Sequence, residues 1–363
     1  MRKVVVVGAG IGGLATGIAF ARQGWEVEIL ERAPRLTALG AGISLWSNAL
    51  RALDALGIGD EVRARAREDV SAGIRDSRGR WLSRFDVAAL RARYGLPVIL
   101  HRADLLDILR AAVPDEAIRT GITVTEARPD GTVVHSAGES GGDVVVGADG
   151  IHSVVRRAVA AEIAPVYAGY TAWRMILTPS APTTDLGESW GRGERFGYAV
   201  LADDRVYCFA AATVPAGAPD AGLAELRRRF GHWHDPIPAL LAATDPAAVL
   251  RHDIYRLPDL PTFVSGRVAL LGDAAHAMTP DLGQGACQAL EDAVTLATTA
   301  DDLTAYDRAR RPRTRRIAAL SDRVGTAAQL SARPLVAARD TALRALPSSL
   351  QWRALAPILD WRC

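Results

Sequence analysis

Cysteine and lysine are both scarce in this sequence. Its three cysteines, Cys208, Cys287 and Cys363, are odd in number and far apart, so they give neither a disulfide framework nor a metal-ligand spacing. Lys3 is the only lysine, and the other basic side chains are arginines. With 43 Lys and Arg against 41 Asp and Glu, the formal charge of +2 is too small to attract nucleic acid or an acidic membrane by its field.

Long apolar runs and targeting signals are also missing. No stretch of about 18 uncharged apolar residues is present, so we expect no transmembrane segment. The N-terminus passes from Arg2 and Lys3 directly into a valine-rich run without a cleavage-site pattern, which argues against a signal peptide. Unpaired cysteines fit a reducing compartment, and we therefore expect a cytoplasmic protein.

The composition that remains is that of a folded protein. Of the 363 residues, 49% are hydrophobic and 23% are charged, close to globular averages. At about 100–200 residues per domain, this length predicts roughly two domains.

The chain opens with a pattern typical of dinucleotide binding. Residues 3–13 read KVVVVGAGIGG, a β-branched run that suits a strand buried on both faces. The glycines that follow form G-x-G-x-x-G: Gly8 allows the tight turn, Gly10 lets a pyrophosphate approach the backbone, and Gly13 lets the next helix pack on the strand. A glycine-rich turn without a ligand is the structural alternative.

The elements after these glycines complete the unit. We predict a helix over residues 14–23 and a second strand over residues 25–30. Glu31 then falls 18 residues after Gly13, where a carboxylate can accept hydrogen bonds from ribose hydroxyls, and Arg32 beside it is a further candidate contact. NAD and FAD both bind to this element, so it does not distinguish them.

A second motif far along the chain favours FAD. Residues 267–273, RVALLGD, predict another buried strand, and Asp273 ends it where open α/β sheets bind ligands. FAD has a ribitol for that carboxylate to bind and NAD has none. Gly283 and Gly285 precede a predicted helix from Ala286 to Ala297, whose N-terminal N–H groups suit a reduced flavin ring. The alternative is that Asp273 only caps the following helix.

Together these motifs resemble the class A FAD-dependent aromatic hydroxylases, which share the para-hydroxybenzoate hydroxylase fold. The resemblance rests on residues 8–13, on VGADGIHS at 146–153 with Arg156, and on GDAAH at 272–276. It covers essentially the whole chain. It implies an α/β protein with a Rossmann-like FAD-binding domain interleaved with an antiparallel β-sheet substrate domain, plus C-terminal helices.

The resemblance also implies a reaction. It predicts a single-component monooxygenase in which NADPH or NADH reduces FAD, the reduced flavin takes up O₂ as a C4a-hydroperoxide, and an aromatic or heteroaromatic small molecule is hydroxylated. An epoxidase or oxidase on the same fold, or a FAD-binding protein without turnover, is the alternative. The sequence leaves open the choice of nicotinamide cofactor, and whether the chain is a monomer or a homodimer.

By resemblance, three further residues belong to the cofactor site. Arg102 lies along the FAD pyrophosphate or ribitol, and Asp149 orders the flavin site. The alternative for Asp149 is an N-cap of a predicted helix over residues 153–160. Pro280 places a rigid carbonyl over the flavin, or is an ordinary loop proline. Residues 40–48 resemble the loop beside the dimethylbenzene edge of the flavin, and Arg35 precedes that loop.

The middle of the chain predicts an antiparallel sheet. Short β-rich runs occur at residues 172–178, 195–201 and 205–214, and a hairpin over residues 72–85 is expected to join them. The predicted domains interleave accordingly: they are the FAD-binding residues 1–71, 100–168 and 266–300, the substrate-binding residues 72–99 and 169–265, and the C-terminal helical residues 301–363.

Three residues from different segments are candidates for the catalytic pocket along with Pro280. A short hairpin can bring Arg195 and Tyr207 onto one face of the sheet, and Asp281 follows Pro280. The set is similar to the arrangement of FAD-dependent urate hydroxylases, in which such groups hold a polar heteroaromatic ring. Trp173-Arg174 departs from it and looks more like the zeaxanthin-epoxidase and aurachin-hydroxylase branch. The alternative is that Arg195 and Asp281 are ordinary surface or loop charges.

Other reactive residues are expected to be structural. His276 is interpreted as a packed histidine near the site rather than a general base, and Cys287 as a small buried residue. His232 and His234 lack a third ligand cluster, so no metal site is predicted.

Overall fold

The computed structural model describes residues 1–36, 41–70, 73–160, 163–179, 186–347 and 355–362. Its strands, numbered in chain order, are β1 (Lys3–Val7), β2 (Glu26–Glu31), β3 (Gly42–Leu45), β4 (Arg67–Glu68), β5 (Gly73–Asp76), β6 (Trp81–Arg84), β7 (Val98–His101), β8 (Ile118–Thr120), β9 (Val124–Ala127), β10 (Thr132–His135), β11 (Gly138–Gly141), β12 (Val144–Gly147), β13 (Val166–Leu177), β14 (Gly187–Trp190), β15 (Glu194–Val200), β16 (Val206–Ala212), β17 (Leu250–Arg256), β18 (Val264–Ser265) and β19 (Val268–Leu270).

Helices connect and cover these strands. They are α1 (Ile11–Ala21), α2 (Ser47–Ala55), α3 (Gly59–Arg65), α4 (Val87–Tyr94), α5 (Arg102–Ala111), α6 (Leu223–Phe230), α7 (Ile237–Ala243), α8 (Asp273–His276), α9 (Gly285–Thr298), α10 (Leu303–Ala328) and α11 (Arg333–Ala345). Short 3₁₀ turns occur at Asp115–Ala117, Val155–Ala158, Pro246–Ala248 and Pro280–Leu282. Residues 355–359 are helical as well.

The first sheet contains the N-terminal strand at its centre. Its order is β18-β19-β12-β1-β2-β8, and β1 pairs in parallel with both β12 and β2. The four valines of β1 are buried because both faces of the strand are covered, as the unbroken β-branched run predicts. Helices α1 and α9 pack closely at Gly12, where a Cβ atom would lie 3.3 Å from Ala289 Cβ of α9. This is the Rossmann-like part of the predicted α/β fold, and it is confirmed.

The second sheet is mostly antiparallel. Its order is β17-β13-β16-β15-β14-β5-β6, and only the β14–β5 pair is parallel within the described residues. One face packs against α6 and α7 through a second apolar core that includes Trp173, Phe196 and Phe230. The predicted antiparallel sheet is confirmed, and the 73–84 hairpin joins it as expected; residue 72 lies outside the described residues. The predicted domain boundaries stay predictions, and β13 runs across the one at residue 168.

Two local predictions differ from the structure. Helix α1 begins at Ile11 rather than residue 14, because Gly12 and Gly13 continue into the helix. The helix predicted over residues 153–160 is only a 3₁₀ turn, Val155–Ala158. Its residues include β-branched valines, which disfavour a helix, and Arg156 turns inward to donate hydrogen bonds to the carbonyls of Ile151 and Ala274.

The predicted C-terminal helices are present as α10 and α11. Among the described residues, no helix combines the length and the apolar composition that a membrane crossing requires.

Candidate active site

A cavity of about 1160 Å³ lies between the two sheets. One end is lined by the turn after β1 and by the residues that follow β19, and the other end by the open face of the antiparallel sheet. Small-molecule sites occupy roughly 300–1,000 Å³. The cavity therefore has room for a dinucleotide together with part of a second small molecule.

The three fingerprint glycines have different surroundings. Gly8 has φ +102°, and a Cβ atom on it would lie 2.6 Å from the Ala148 carbonyl oxygen. On Gly13 a Cβ atom would lie 1.9 Å from the carbonyl oxygen of Gly8. A Cβ atom on Gly10 would meet nothing within 4 Å, and Gly10 lines the cavity. Gly8 and Gly13 thus shape the turn from outside the cavity lining, whereas Gly10 leaves an open space where the N-terminus of α1 begins.

Glu31 holds this turn in place. Its Oε2 accepts a hydrogen bond from the Ala9 N–H at 2.8 Å, and its Oε1 accepts one from the Ala33 N–H at 2.8 Å. Glu31 also lines the cavity, as does Arg35, whereas Arg32 does not. Each carboxylate oxygen can accept further bonds, so Glu31 can bind ribose hydroxyls while it keeps both backbone contacts.

Arg102 and Asp273 face the cavity from opposite elements. Arg102 begins α5 and Asp273 begins α8, and both side chains line the cavity. Within the described chain, neither side chain makes a hydrogen bond to protein. Burial lowers the pKa of Arg102, and the nearby Asp273 carboxylate opposes this effect. The Arg102 guanidinium and the Asp273 carboxylate are thus available to contact a ligand at the middle of the cavity.

The carboxylate of Asp149 accepts hydrogen bonds from residues of its own loop. Its carboxylate accepts hydrogen bonds from Ser153 Oγ at 2.6 Å and from the Val154 N–H at 2.7 Å. The neighbours Ala148 and Gly150 line the cavity, but Asp149 does not. The side chain therefore caps the turn that follows, and any effect of Asp149 on a ligand acts through the backbone of this loop.

The loop before α9 forms the wall at the other side. Pro280, Gly283, Gly285 and Ala286 all line the cavity. Gln284 lines the cavity as well, and its Oε1 accepts hydrogen bonds from Asn48 Nδ2 and Gln288 Nε2, each at 3.0 Å. The loop is thus tied to α2 and α9, and the N-terminus of α9 points at the cavity.

A buried ionic network supports this wall. Arg310 Nε donates to Asp292 Oδ1 at 2.6 Å, and His276 Nε2 lies 2.6 Å from Asp292 Oδ2. Burial alone would favour the protonated acid, but His276 and Arg310 hold the pKa of Asp292 well below its usual range. His276 is accordingly packed within the network, behind the cavity lining.

Arg195 and Asp281 meet on the sheet side. Arg195 Nη2 lies 2.7 Å from Asp281 Oδ1, and the Tyr170 hydroxyl donates to Asp281 Oδ2 at 2.8 Å. The side chain of Arg195 is 4% exposed and that of Asp281 is 0% exposed. The two predicted pocket residues are therefore paired with each other, and neither presents its charge freely to the cavity.

Tyr207 lies on the same face of the sheet as Arg195. Ala199, four residues after Arg195, is opposite Tyr207 in the β15–β16 pair, so residues 195, 199 and 207 share one face. The ring of Tyr207 packs on Gly42, where a Cβ atom would lie 2.5 Å from the ring. Burial raises the pKa of Tyr207, which keeps its phenol protonated. Gly42 belongs to the loop predicted over residues 40–48, of which residue 40 lies outside the described residues.

The sequence-based candidates for the site did not include Arg174, Glu188 and His252, which line the cavity, or Tyr170, which lies outside its lining. Tyr170 holds Asp281, and Glu188 lies beside Arg195 at 3.3 Å. Arg174 and His252 lie on neighbouring strands β13 and β17 and face the cavity. The signal available in the sequence was that Arg174 and His252 alternate with more buried neighbours along their strands. The pairing of the strands was needed to show which face of the sheet each residue occupies.

Two further sequence interpretations can be compared with the contacts. Cys287 is buried, and burial raises its pKa to about 12, which keeps the thiol protonated. His234 Nε2 lies 2.7 Å from Ser189 Oγ. Throughout the described ranges, no group of three or more His, Cys, Asp or Glu residues is arranged to hold a metal ion.

The residues of the cavity fit FAD on their own geometry. The open space at Gly10 admits a pyrophosphate beside the N-terminus of α1. The unbonded side chains of Arg102 and Asp273 then offer a cation for phosphate and an acceptor for ribitol hydroxyls. The parallel sheet, the glycine turn and this donor set define a dinucleotide-binding flavoprotein.

Comparisons with known proteins identify the family. Residues 1–319 match the family described as FAD binding domain. Aurachin C monooxygenase/isomerase of Stigmatella aurantiaca is 44% identical over 304 residues, covering 81% of this chain and 79% of that protein. 3-Amino-4-hydroxybenzoate 2-monooxygenase of Streptomyces cremeus is 35% identical over 382 residues, covering 96% of this chain and 94% of that protein.

A solved structure agrees with these relatives. Klebsiella pneumoniae HpxO complexed with FAD and uric acid superposes with a TM-score of 0.91 at 31% identity, covering 99% of this chain and 96% of HpxO. The chain therefore belongs to the FAD-dependent aromatic hydroxylases, and it is a FAD-dependent monooxygenase.

Proposed function

We propose that this monooxygenase takes its electrons from NADPH or NADH and hydroxylates an aromatic or heteroaromatic small molecule held against the antiparallel sheet. The observation that carries the proposal is the single cavity that joins Gly10, Arg102 and Asp273 to Arg195 and Tyr207. A cofactor bound at the first set of residues reaches the second set without crossing protein.

Each part of the FAD molecule is assigned its own contacting residues. The N-terminus of α1 at Gly10 receives the pyrophosphate, Glu31 receives the adenosine ribose, and Asp273 receives the ribitol. Arg102 neutralises charge along the phosphates or ribitol. The loop from Pro280 to Ala286 and the N-terminus of α9 face the flavin ring. When bound and reduced by NAD(P)H, FAD supplies the activation of O₂.

The residues on the substrate side orient the substrate and keep water out of the site. Asp281 fixes the guanidinium of Arg195 through their buried ion pair, and the Tyr170 hydroxyl holds Asp281 in turn. Burial raises the pKa of Tyr170 well above its usual value, so its hydroxyl keeps the proton that it donates to Asp281. Tyr207 and Phe209 present a phenol and an aromatic ring to the substrate. Pro280 and the loop after it cover the site and exclude water.

The relatives support a ring-shaped substrate. One is named for 3-amino-4-hydroxybenzoate, and HpxO was crystallised with uric acid. These names concern those proteins, and for this chain they indicate polar aromatic and heteroaromatic rings as the compounds to test first.

The proposal is tested with a compound panel. Purified FAD-loaded protein is mixed with NADPH or NADH and with each ring compound, and NAD(P)H oxidation is followed together with the mass of the product. We expect at least one compound to stimulate oxidation and to gain one oxygen atom. Oxidation that yields only hydrogen peroxide with every compound, or no stimulation at all, contradicts the proposal.

A further inference from the structure

Glu188 is an acidic residue on the cavity face of the antiparallel sheet. In β14 it pairs opposite Gly197 of β15, and Trp190 pairs opposite Arg195, so Glu188 and Arg195 point to the same side. Glu188 lines the cavity. Its side chain is 27% exposed, whereas those of Arg195 and Asp281 are almost completely covered.

One oxygen of Glu188 is occupied and the other is open. Oε1 accepts a hydrogen bond from Trp190 Nε1 at 2.7 Å and lies 3.3 Å from Arg195 Nη1. No donor to Oε2 is found within the described residues. Because the exposed surface of Glu188 belongs to the cavity wall, Oε2 is available to a molecule bound there.

The charges around Glu188 disfavour an anionic substrate group at this end of the cavity. Within the described part of the chain, Arg195 is the cation that meets Glu188, and Asp281 is already paired with it at 2.7 Å. Glu188 therefore adds a second carboxyl group without adding a free cation. Burial raises the pKa of Glu188, and Arg195 opposes that shift. A substrate carboxylate placed beside the Glu188 carboxylate finds no unpaired cation among the residues that the structure describes.

The cavity holds its other cations elsewhere. Arg174 and His252 lie on β13 and β17, on the far side of β16 from Glu188 in the strand order, and Arg102 stands at the cofactor end. Burial lowers the pKa of His252, and the positive charges of Arg174 and Arg102 lower it further. The cavity is thus acidic at β14 and basic at β13 and β17.

Resting on the proposed function, we propose that Glu188 determines substrate specificity: its free oxygen accepts a hydrogen bond from an N–H or O–H group of the ring. The substrate is therefore an amino- or hydroxy-substituted aromatic or heteroaromatic ring that carries no carboxylate at this end. Asp281 positions Arg195, and Glu188 is the acid of this cluster that touches the substrate.

A matched pair of probes tests this assignment. 2-Aminophenol and 2-amino-3-hydroxybenzoate share the ring, the amine and the hydroxyl group, and differ in a carboxylate next to the amine, which therefore lies at the same end of the ring as the groups that meet Glu188. The Kd of each for the FAD-loaded protein is measured without NAD(P)H, from the change in flavin absorbance and by calorimetry. We expect 2-aminophenol to bind at least about tenfold more tightly, because both probes offer the same donors to Glu188 and only the second brings a carboxylate that Glu188 repels.

Glu188→Gln removes the charge and keeps an oxygen for Trp190 and Arg195. We expect this variant to bind 2-aminophenol about tenfold more weakly and 2-amino-3-hydroxybenzoate more tightly, so that the preference disappears. Glu116→Gln, which changes an exposed glutamate remote from the cavity lining, is the matched control and leaves both Kd values unchanged.

The outcomes separate this assignment from the proposed function. Equal affinity of the wild-type protein for the two probes, no binding of either probe, or an equal change of both Kd values in Glu188→Gln overturns the assignment and leaves Glu188 a support for Trp190. These measurements contain no turnover. A panel in which no compound stimulates NAD(P)H oxidation contradicts the proposed function, whatever the two Kd values are.

Discussion

The guanidinium of Arg195 lies 2.7 Å from the carboxylate of Asp281, although the two residues are far apart in the chain and belong to different parts of the fold. Arg195 is on β15 of the antiparallel sheet, and Asp281 is in the 3₁₀ turn before α9. Their ion pair, reinforced by the Tyr170 hydroxyl at 2.8 Å, joins the substrate sheet to the loop that faces the flavin.

Breaking this pair should destabilise the protein. Arg195→Ala leaves the Asp281 charge buried without its cation, which costs about 3–5 kcal/mol of unfolding free energy. The double variant Arg195→Ala/Asp281→Asn should recover part of that loss. Both are measured by denaturant unfolding. Arg63→Ala, which removes an exposed ion pair with Asp54, is the control and should cost less than about 1 kcal/mol. Equal losses for Arg63→Ala and Arg195→Ala would contradict the buried pair.

Tyr207→Phe should affect the substrate and spare the cofactor. The change removes one hydroxyl from the cavity and keeps the ring that packs on Gly42. With a substrate identified by the panel, we expect KM to rise about fivefold to tenfold, the cost of one hydrogen bond at roughly 1 kcal/mol or slightly more. FAD content, read from the flavin absorbance, should stay full. Tyr255→Phe, at the exposed end of β17, should change neither quantity; unchanged KM in both variants removes Tyr207 from the site.

Asp273→Ala should weaken FAD binding. The carboxylate faces the cavity without a protein hydrogen bond within the described chain, so its removal takes away a ligand contact and no internal one. A hydrogen bond to a charged group contributes about 1.5–3 kcal/mol, which corresponds to a tenfold to hundredfold higher Kd for FAD. Reconstitution of apoprotein with FAD, followed by fluorescence, gives the value. Asp60→Ala on the surface is the control, and equal Kd values for the two variants would refute the contact.

Gly10→Ala and Gly13→Ala should fail in different ways. A methyl group on Gly10 enters the open space meant for the pyrophosphate, so FAD affinity should fall while the protein remains folded. A methyl group on Gly13 would lie 1.9 Å from the Gly8 carbonyl oxygen, so the turn itself must move and the unfolding temperature should fall. If Gly10→Ala retained full FAD affinity, the phosphates would lie elsewhere.

Asp292 should make the protein sensitive to acid. His276 and Arg310 outweigh the effect of burial and lower the pKa of Asp292 in the folded state. A lowered pKa stabilises the fold above the unfolded value near 4, and this contribution is lost progressively as the pH falls below it. Asp292→Asn should therefore be destabilised by about 3–5 kcal/mol at pH 7, and its difference from wild type should shrink between pH 5 and pH 3. A difference independent of pH would contradict this, and Asp60→Asn serves as the control.

The glycine spacing allows the cofactor end of the site to be predicted from the sequence, because all three glycines act within one short stretch of backbone. Gly8, Gly10 and Gly13 lie close together in the chain, and the valines of β1 suit a buried strand that pairs with β12 and β2. Asp273 could likewise be placed from the strand that precedes it. For Asp149, the sequence allowed both a cofactor contact and a cap, and the contacts show the cap.

The substrate end depended on information that the sequence does not contain locally. That Arg195 and Tyr207 share a face followed from the hairpin between them, but the ion pair of Arg195 with Asp281 depends on how the sheet packs on the α9 loop. Glu188 was not predicted as a site residue because β14 has only four residues. A shift of one residue in the register of this strand would turn the carboxyl group to the opposite face of the sheet.

The segment that includes Leu355, Ile358 and Leu359 closes one wall of the cavity and is attached through its backbone. Arg313 donates to the carbonyl oxygens of Pro357 at 2.7 Å and Ile358 at 2.8 Å, and Arg51 donates to that of Trp361 at 2.7 Å. A backbone carbonyl is the same whatever side chain it carries, so this attachment tolerates replacement of the cavity-lining leucines and isoleucine. Substrate range can therefore diverge in evolution, or be redesigned, by resizing these few side chains while the flavin site stays intact.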